Sequence, residues 1–319
     1  MILTVTPNPS VDRALDLDRL TLGGVNRAHT VHVHPGGKGI NVARALVGHG
    51  VAAVAVVPTG GPDGARLAEL MAEHGVPALP VPVAGDTRTN ITLQEGGGVT
   101  TKVNAPGPVL GPDEVEALLA AVEHQLEGAS GVSAVVAAGS LPAGAGDDLF
   151  VRLADRTGRH GVPLLVDTSG APLACAVRAG GLELVKPNED ELAELVGREL
   201  VTVGDVVDAA REVVALGTRT VLVSMGAHGA LLVTAGTRET WWSGGAALVP
   251  RSTVGAGDST LAGFLAADGP LPDRLRTAVA WGRAAVLLPG TEVPAPDAIR
   301  LDEVRVVADP DRDRAVKEL

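Results

Sequence analysis

Cysteine is almost absent from this chain. Cys175 stands alone among 319 residues, which excludes an internal disulfide and any metal site built from several thiolates. Positive charge is short as well. Lys and Arg number 26 against 38 Asp and Glu, a formal net charge of −12. A nucleic-acid-binding face needs the opposite sign, so no nucleic-acid partner is expected. An anionic ligand can still be held, but only in a locally basic pocket. No apolar run approaches the ~20 residues that cross a bilayer. The opening stretch MILTVTPNPS lacks the basic-then-apolar form of a signal segment. The expectation is a soluble, cytoplasmic protein with no membrane partner. No fixed-period repeat is visible either.

What is present is apolar residues and turns. The chain is 45% hydrophobic and 20% charged, with 41 Gly and 22 Pro. That composition predicts a sizeable core and many turns. Residues 1–6 read as a strand ending at Pro7-Asn8-Pro9. GGKGINVARALVGHG reads as a Gly turn and a helix over about 39–49. The strand VAAVAVV and a helix over about 63–74 follow. Strand-like runs recur as SAVVAAG, VPLLVDT, LELVKP and TVLVSMG, with the helical patterns DDLFVRLADRTGRHG and VGDVVDAAREVVALG among them. Such βαβ alternation predicts a single α/β domain over 1–319, with a mostly parallel sheet covered on both faces.

Two segments break this rhythm, about 11–35 and 84–105. They alternate as strands do, in HTVHVH and RTNITLQEGGGVTTKVN, and predict a small sheet acting as a lid. The tail, DPDRDRAVKEL, is polar and is expected to be an exposed helix end or disordered.

Four polar clusters directly follow predicted strands: GSLP, DTSG, KPNEDE and SMGAHG. Ligands of open α/β sheets bind at the carboxyl ends of strands, so the four clusters point to one extended site. In STVGAGDSTLAGF, glycines precede an apolar helix. Glycines let backbone N–H groups converge without side-chain obstruction. A helix start adds free N–H groups and the positive end of its dipole. Together they form a site for a phosphate or for the charge of one in transfer. Asp258 beside such an anion reads either as a base for an attacking hydroxyl or as a helix cap. PGGKGINVARAL is not a Walker A loop, because Gly39 follows Lys38 where Ser or Thr is required. Lys38 could hold a fixed anionic group and Asn41 a hydroxyl, or the stretch could be a turn with a solvated lysine.

GGKGINVARAL and STVGAGDSTLAGF, in this order, resemble the two signature regions of the PfkB family of carbohydrate kinases, which have the ribokinase-like fold. GGPDG, GSLP, VDTSG, KPNEDEL, SMGAHGA and LPGTEVP extend the resemblance over nearly the whole chain. TPNPSVD, RTNITL and TKVNAPGP resemble the branch that acts on phosphorylated sugars. The resemblance implies a three-layer α/β sandwich with a small β lid, and transfer of the γ-phosphoryl group of ATP to a sugar phosphate. D-fructose 1-phosphate, phosphorylated on its 6-hydroxyl, is the first substrate implied; tagatose 6-phosphate and fructose 6-phosphate are alternatives. A sensor that binds sugar phosphate without turnover is a remote one, disfavoured by the presence of Asp258.

The resemblance also implies roles. Asp258 would be the base, with Gly255, Ala256 and Gly257 forming an anion hole. Asp12, Gly37 and Asn41 would bind sugar hydroxyls. Lys38 and Arg88, with Arg27 or Lys102, would hold the sugar's phosphate, and Ser140 would line the same pocket. Asn188 and Glu191 match an Asn-x-x-Glu element tied to Mg²⁺ and the nucleotide phosphates, Glu191 acting through water or phosphate. Lys186, Ser224, Gly226 and Gly229 would lie along ATP. Exposed lid edges point to a homodimer through the lid.

Three features invite a different reading. His29, His32 and His34 resemble a metal cluster, yet His29 falls on the opposite strand face from the other two, and a polar lid face is expected. Cys175, in APLACAVRAG, is expected to be buried and inert. Trp241 and Trp242 read either as adenine contacts or as a packed strand edge.

Overall fold

The computed structural model describes residues 1–96, 99–128 and 131–319. In chain order its main elements are β1 (Ile2–Val5), β2 (Ser10–Leu17), β3 (Thr30–Gly36), α1 (Lys38–Gly48), β4 (Ala53–Thr59), α2 (Gly61–Glu73), β5 (Ala78–Pro82), β6 (Arg88–Glu95) and β7 (Thr100–Val103). Then follow α3 (Pro112–Gly128), β8 (Ala134–Ala138), α4 (Leu149–Arg159), β9 (Leu164–Asp167), α5 (Gly170–Ala179), β10 (Leu184–Val185), α6 (Glu189–Val196) and α7 (Val203–Ala215). The last are β11 (Thr220–Ser224), β12 (Ala230–Thr234), β13 (Thr240–Gly244), α8 (Ala256–Ala266), α9 (Leu271–Ala285) and β14 (Arg305–Ala308).

The main sheet runs in the order β14-β13-β12-β11-β10-β9-β8-β1-β4-β5. Every pair from β11 to β5 is parallel, and the β11-β12-β13-β14 end is antiparallel. Alternation along each strand divides the core in two. Leu3, Val5, Val135, Ala137, Val166, Val221 and Val223 face one layer, packed with residues of α3 to α7. Ile2, Val136, Ala138, Leu165 and Leu222 face the other, with residues of α1, α2, α8 and α9. A strand buried on both faces reads as continuously apolar, which is why AVVAA and LLV carry no polar residue. This is the three-layer, ribokinase-like architecture expected.

The lid is a separate sheet in the order β3-β2-β6-β7. Its β2-β6 pair is parallel and the other two pairs are antiparallel. Its strands come from two stretches of chain, residues 10–36 and 88–103, with Gly97 and Gly98 of the second outside the described residues. Asp12, His34 and Asn90 align across neighbouring strands and share one face. Leu15, Val31 and Leu93 share the opposite one.

Most of the tail is exposed, as expected, yet it is not free. Val316 is buried, and the amides of Val203 and Gly204 donate to the carbonyls of Arg314 and Arg312 at 2.9 and 2.8 Å. The tail therefore ties down the start of α7, because its backbone groups find partners there. Cys175 is only half-buried, on an outer helix. Trp241 and Trp242 belong to the two opposite core layers, so the packed-strand reading holds. The Trp242 indole N–H donates to the His228 carbonyl at 2.8 Å. His29 and His32 have carboxylate partners, Asp18 at 3.1 Å and Asp16 at 3.3 Å. Among the described residues no cluster of three or more potential ligands could hold a metal ion.

Candidate active site

A cleft of about 520 Å³ opens at the carboxyl ends of the central strands, beneath the lid. All four predicted loop clusters reach this region: Ser140, Asp167, Lys186 and Ser224 line the cleft together with Asp258. A second cavity of about 310 Å³ adjoins it, and Asn188, Ser224 and Gly257 border both.

Asp258 is the third residue of α8, not its cap. The cap position is Gly255, left-handed at φ 78°, and no side chain caps this helix. A left-handed residue there is cheap only for glycine. The first N–H groups of α8 precede its own hydrogen-bond ladder and remain free for a ligand. Asp258 is only 6% exposed, and its Oδ2 accepts a hydrogen bond from Asn41 Nδ2 at 2.8 Å. Asn41 reaches it from the first turn of α1. That turn depends on Gly37 at φ 124°, where a Cβ would stand 2.5 Å from the Thr6 methyl. Burial, reinforced by the charge of Asp167, pushes the Asp258 carboxyl up to about 6, against the pull of Lys38, Asn41 and Lys186. A carboxylate tuned toward neutral pH suits a proton acceptor.

Asp167 ends β9 with its carboxylate fully buried. Lys38 Nζ donates to its Oδ1 at 2.8 Å, and Lys186 Nζ lies 3.1 Å from Oδ2. Burial opposes ionisation of Asp167, but Lys186 and Lys38 prevail and hold its pKa below the usual value. Burial likewise works against the Lys38 ammonium. Asp167 and Asp258 outweigh it and raise the Lys38 pKa. A Cβ on Gly257 would lie 3.2 Å from Lys186 Nζ, so this ammonium stands beside the free amides at the start of α8. Cation, amides and acid converge where a transferring anion would sit.

Asp12, Gly37, Lys38, Asn41, Arg88, Lys102 and Ser140 line the same cleft. The Asp12 carboxylate is aimed by Ser10 Oγ at 2.7 Å and Asn90 Nδ2 at 3.0 Å. Arg88 donates to the carbonyls of Asn8 and Ala105 at 2.9 and 2.8 Å, so part of its guanidinium ties the start of β6 to the chain before β2 and after β7. Arg27 stands apart: it is exposed between β2 and β3 and does not line the cleft. Glu191 and Asn188 form a reciprocal capping box on α6, the structural role that an Asn-x-x-Glu spacing also predicts. Gly226 and Gly229 line the second cavity with Asn188 and Ser224. Gly229 has a packing reason of its own, since a Cβ there would meet the Ser243 carbonyl at 2.0 Å.

Sequence reasoning placed Asp167 at the site only as part of the DTSG cluster, with no role of its own, and missed Asn8, Ser10 and Asn90; all four line the cleft. Asp167 had a signal: an acid at the end of an otherwise apolar buried strand must find a counter-charge.

A model of the family described as "pfkB family carbohydrate kinase" matches residues 5–298. The 1-phosphofructokinase of Bacillus subtilis is 36% identical over 291 residues, covering 89% of this chain and 92% of that one. The ATP-dependent 6-phosphofructokinase isozyme 2 of Escherichia coli is 37% identical over 302 residues, covering 92% and 94%. The crystal structure of phosphofructokinase-2 from Escherichia coli in complex with potassium superposes with a TM-score of 0.86, at 36% identity and 93% and 96% coverage. The family model spans most of the chain and the fold is shared with these relatives: the chain belongs to the pfkB family of carbohydrate kinases and is an ATP-dependent sugar kinase.

Proposed function

We propose that this kinase phosphorylates D-fructose 1-phosphate on its 6-hydroxyl, giving fructose 1,6-bisphosphate and ADP. The observation that carries the chemistry is Asp258, buried at the start of α8 with two lysines and Asp167 around it. The 6-hydroxyl oxygen attacks the γ-phosphorus of ATP, and the new O–P bond forms as the bond to the bridging oxygen of ADP breaks. The hydroxyl proton passes to Asp258. The amides of Gly255, Ala256 and Gly257 receive the charge on the transferring group, with Lys186 beside them. Phosphoryl transfer asks for positioning and charge stabilisation above all. Lid closure over the cleft would exclude water and limit ATP hydrolysis.

Asp12, Gly37 and Asn41 would orient the sugar hydroxyls, with Ser140 in the same wall. Lys102 and Arg88 would hold the 1-phosphate. Lys38 keeps donors beyond its bond to Asp167 and would join them. Arg27 has no part in the cleft in this arrangement. ATP would lie across the second cavity along Ser224, Gly226 and Gly229, its phosphates reaching Asn188 and Lys186. Mg²⁺ fits this donor set. Few carboxylates converge, and Glu191 has only part of its carboxylate engaged in the capping box, as suits a metal held mainly by nucleotide phosphates. When bound, it would neutralise charge on those phosphates, with Glu191 contacting it through water. These co-substrates fit a cytoplasmic setting. Among the described residues no helix is long and apolar enough to cross a membrane.

The test is ADP release with Mg-ATP against fructose 1-phosphate, fructose 6-phosphate, tagatose 6-phosphate, fructose and ribose. Fructose 1-phosphate should lead in kcat/KM. A lead for fructose 6-phosphate would move the substrate to the second reading, which the equally similar 6-phosphofructokinase relative supports. A lead for an unphosphorylated sugar would leave Lys102 and Arg88 without the anion assigned to them.

The lid's outer face supports a homodimer. Val31, Ile91 and Val103 are 52%, 37% and 57% exposed on it, a patch of the kind that marks an interaction surface. Light scattering at micromolar concentration should give twice the chain mass, and Val31→Lys with Val103→Lys should return it to one. A monomeric wild type removes the proposal.

A further inference from the structure

Arg44 is a buried cation that no step described so far uses. It lies on α1 and is only 5% exposed. Burial works against its charge, and Asp12 and Glu292 only partly offset that. Its Nη1 donates to the Thr291 carbonyl at 3.1 Å and to Thr291 Oγ1 at 3.2 Å. Its Nε is buried and, among the described residues, has no partner. A buried guanidinium left partly unsatisfied costs stability, so its presence asks for a reason. The place of Thr291 supplies one. Thr291 belongs to the irregular segment after α9, and it stands over the glycine turn that opens α8. A Cβ on Gly255 would lie 3.5 Å from both Thr291 Cβ and Thr291 Cγ2, and its three nearest atoms would all belong to Thr291. Helix α1 thus reaches this turn twice. Asn41 and Arg44, three residues apart, share one face of it. Asn41 holds Asp258 at 2.8 Å, and Arg44 holds the residue that packs on Gly255. Further along, His49 Nε2 donates to the Pro294 carbonyl at 2.9 Å, so α1 fixes the segment at two points.

We propose that Arg44 is a positioning residue for phosphoryl transfer: by gripping Thr291 it keeps the Thr291 methyl against Gly255, and so sets where the amides of Gly255, Ala256 and Gly257 point. The inference rests on those amides receiving the transferring group, as proposed above. Glycine has the freest backbone of any residue, and Gly255 has no side chain to lock its own turn. A brace from outside the turn therefore decides the direction of its N–H groups. Preorganised donors act only when aimed at the place where charge develops. A misplacement of about 1 Å, caused far from the chemistry, can cost about 10²-fold. One helix then registers both halves of the site, the acid through Asn41 and the amides through Arg44.

Calorimetric titration with Mg-ADP tests this, with the preferred sugar phosphate present, and with and without fluoroaluminate, a mimic of the phosphoryl group in transfer. Wild type should bind ADP more tightly when fluoroaluminate is added. Arg44→Met keeps most of the side-chain volume. It should cut that tightening, and kcat, by about 10²-fold, while ADP and sugar-phosphate affinities stay within about threefold. A role in stability alone would not separate the two complexes. Thr291→Ser removes only the methyl and should lose about tenfold, whereas Thr291→Val keeps the methyl and the carbonyl and should stay within about threefold. The inference falls if Arg44→Met leaves the tightening within about threefold of wild type, or weakens ADP alone by the same factor as the fluoroaluminate complex. Equal losses in the two Thr291 variants also overturn it, because the methyl would then have no part. In each of these cases the tightening in wild type keeps the anion hole itself. A wild type that gains nothing from fluoroaluminate removes the anion hole and the inference together.

Discussion

Asparagine at position 258 should lower kcat by about 10²–10⁴ while leaving sugar-phosphate affinity within a few-fold. The carboxamide has nearly the shape of the carboxylate, and its oxygen can still accept from Asn41. What it cannot do is take up the hydroxyl proton. The loss corresponds to ~3–5 kcal/mol of transition-state stabilisation. Stability should move the other way. The folded Asp258 pKa, about 6 against 3.8, means the native state favours the protonated acid. Stability is therefore full below the unfolded value and declines as pH rises through 6. Removing the charge lifts that penalty, on the order of 2–3 kcal/mol, above pH 6 and not at pH 4. Steady-state kinetics with denaturant melts at both pH values would check the pair. A kcat within tenfold of wild type would remove Asp258 from the role of base.

Asp167→Asn should be the most destabilising single change in the cleft, by about 3–5 kcal/mol. The carboxylate is wholly inaccessible and serves two lysines, Lys186 only 5% exposed and Lys38 38% exposed. Removing it leaves two ammonium groups without their counter-charge. Lys38 can turn partly to water, so the lower end of that range is expected. The Asp167 pKa is depressed in the fold, so its contribution is present at neutral pH and fades as pH falls through the folded value. The urea midpoint of the variant should therefore fall furthest at neutral pH.

The same change should also reach the chemistry. Asp167 raises the Asp258 pKa, and the freed lysines would lower it further. The acid limb of kcat/KM, near pH 6 in wild type, should move to lower pH. An acid limb that stays in place or rises would show that Asp258 and Asp167 do not share one field.

Much of this site was legible without coordinates. Four polar clusters followed apolar strands, and parallel strands bring their carboxyl ends to one edge, so convergence of Ser140, Asp167, Lys186 and Ser224 follows from the alternation itself. The lid was legible for the same kind of reason: a period of two in segments that lack helical periodicity. Gly255 before an apolar helix marked the proposed anion site, because only glycine takes its left-handed backbone without strain.

Other features needed the tertiary structure. Whether Asp258 capped α8 or stood free inside its first turn depended on a single residue's φ and on Asn41 arriving from 217 positions away. The Lys38-Asp167-Lys186 cluster joins α1 to Asp167, 129 positions along the chain, and no local pattern encodes a pairing that only strand order creates. Glu191 showed two roles in one spacing, cap and cleft wall. The polar tail read as free, yet its backbone groups found partners at α7. Composition and periodicity determined the layers, the lid and the edge at which the site lies. The state of each charge in that site was decided by burial and by neighbours distant in sequence, because both are properties of the packed molecule.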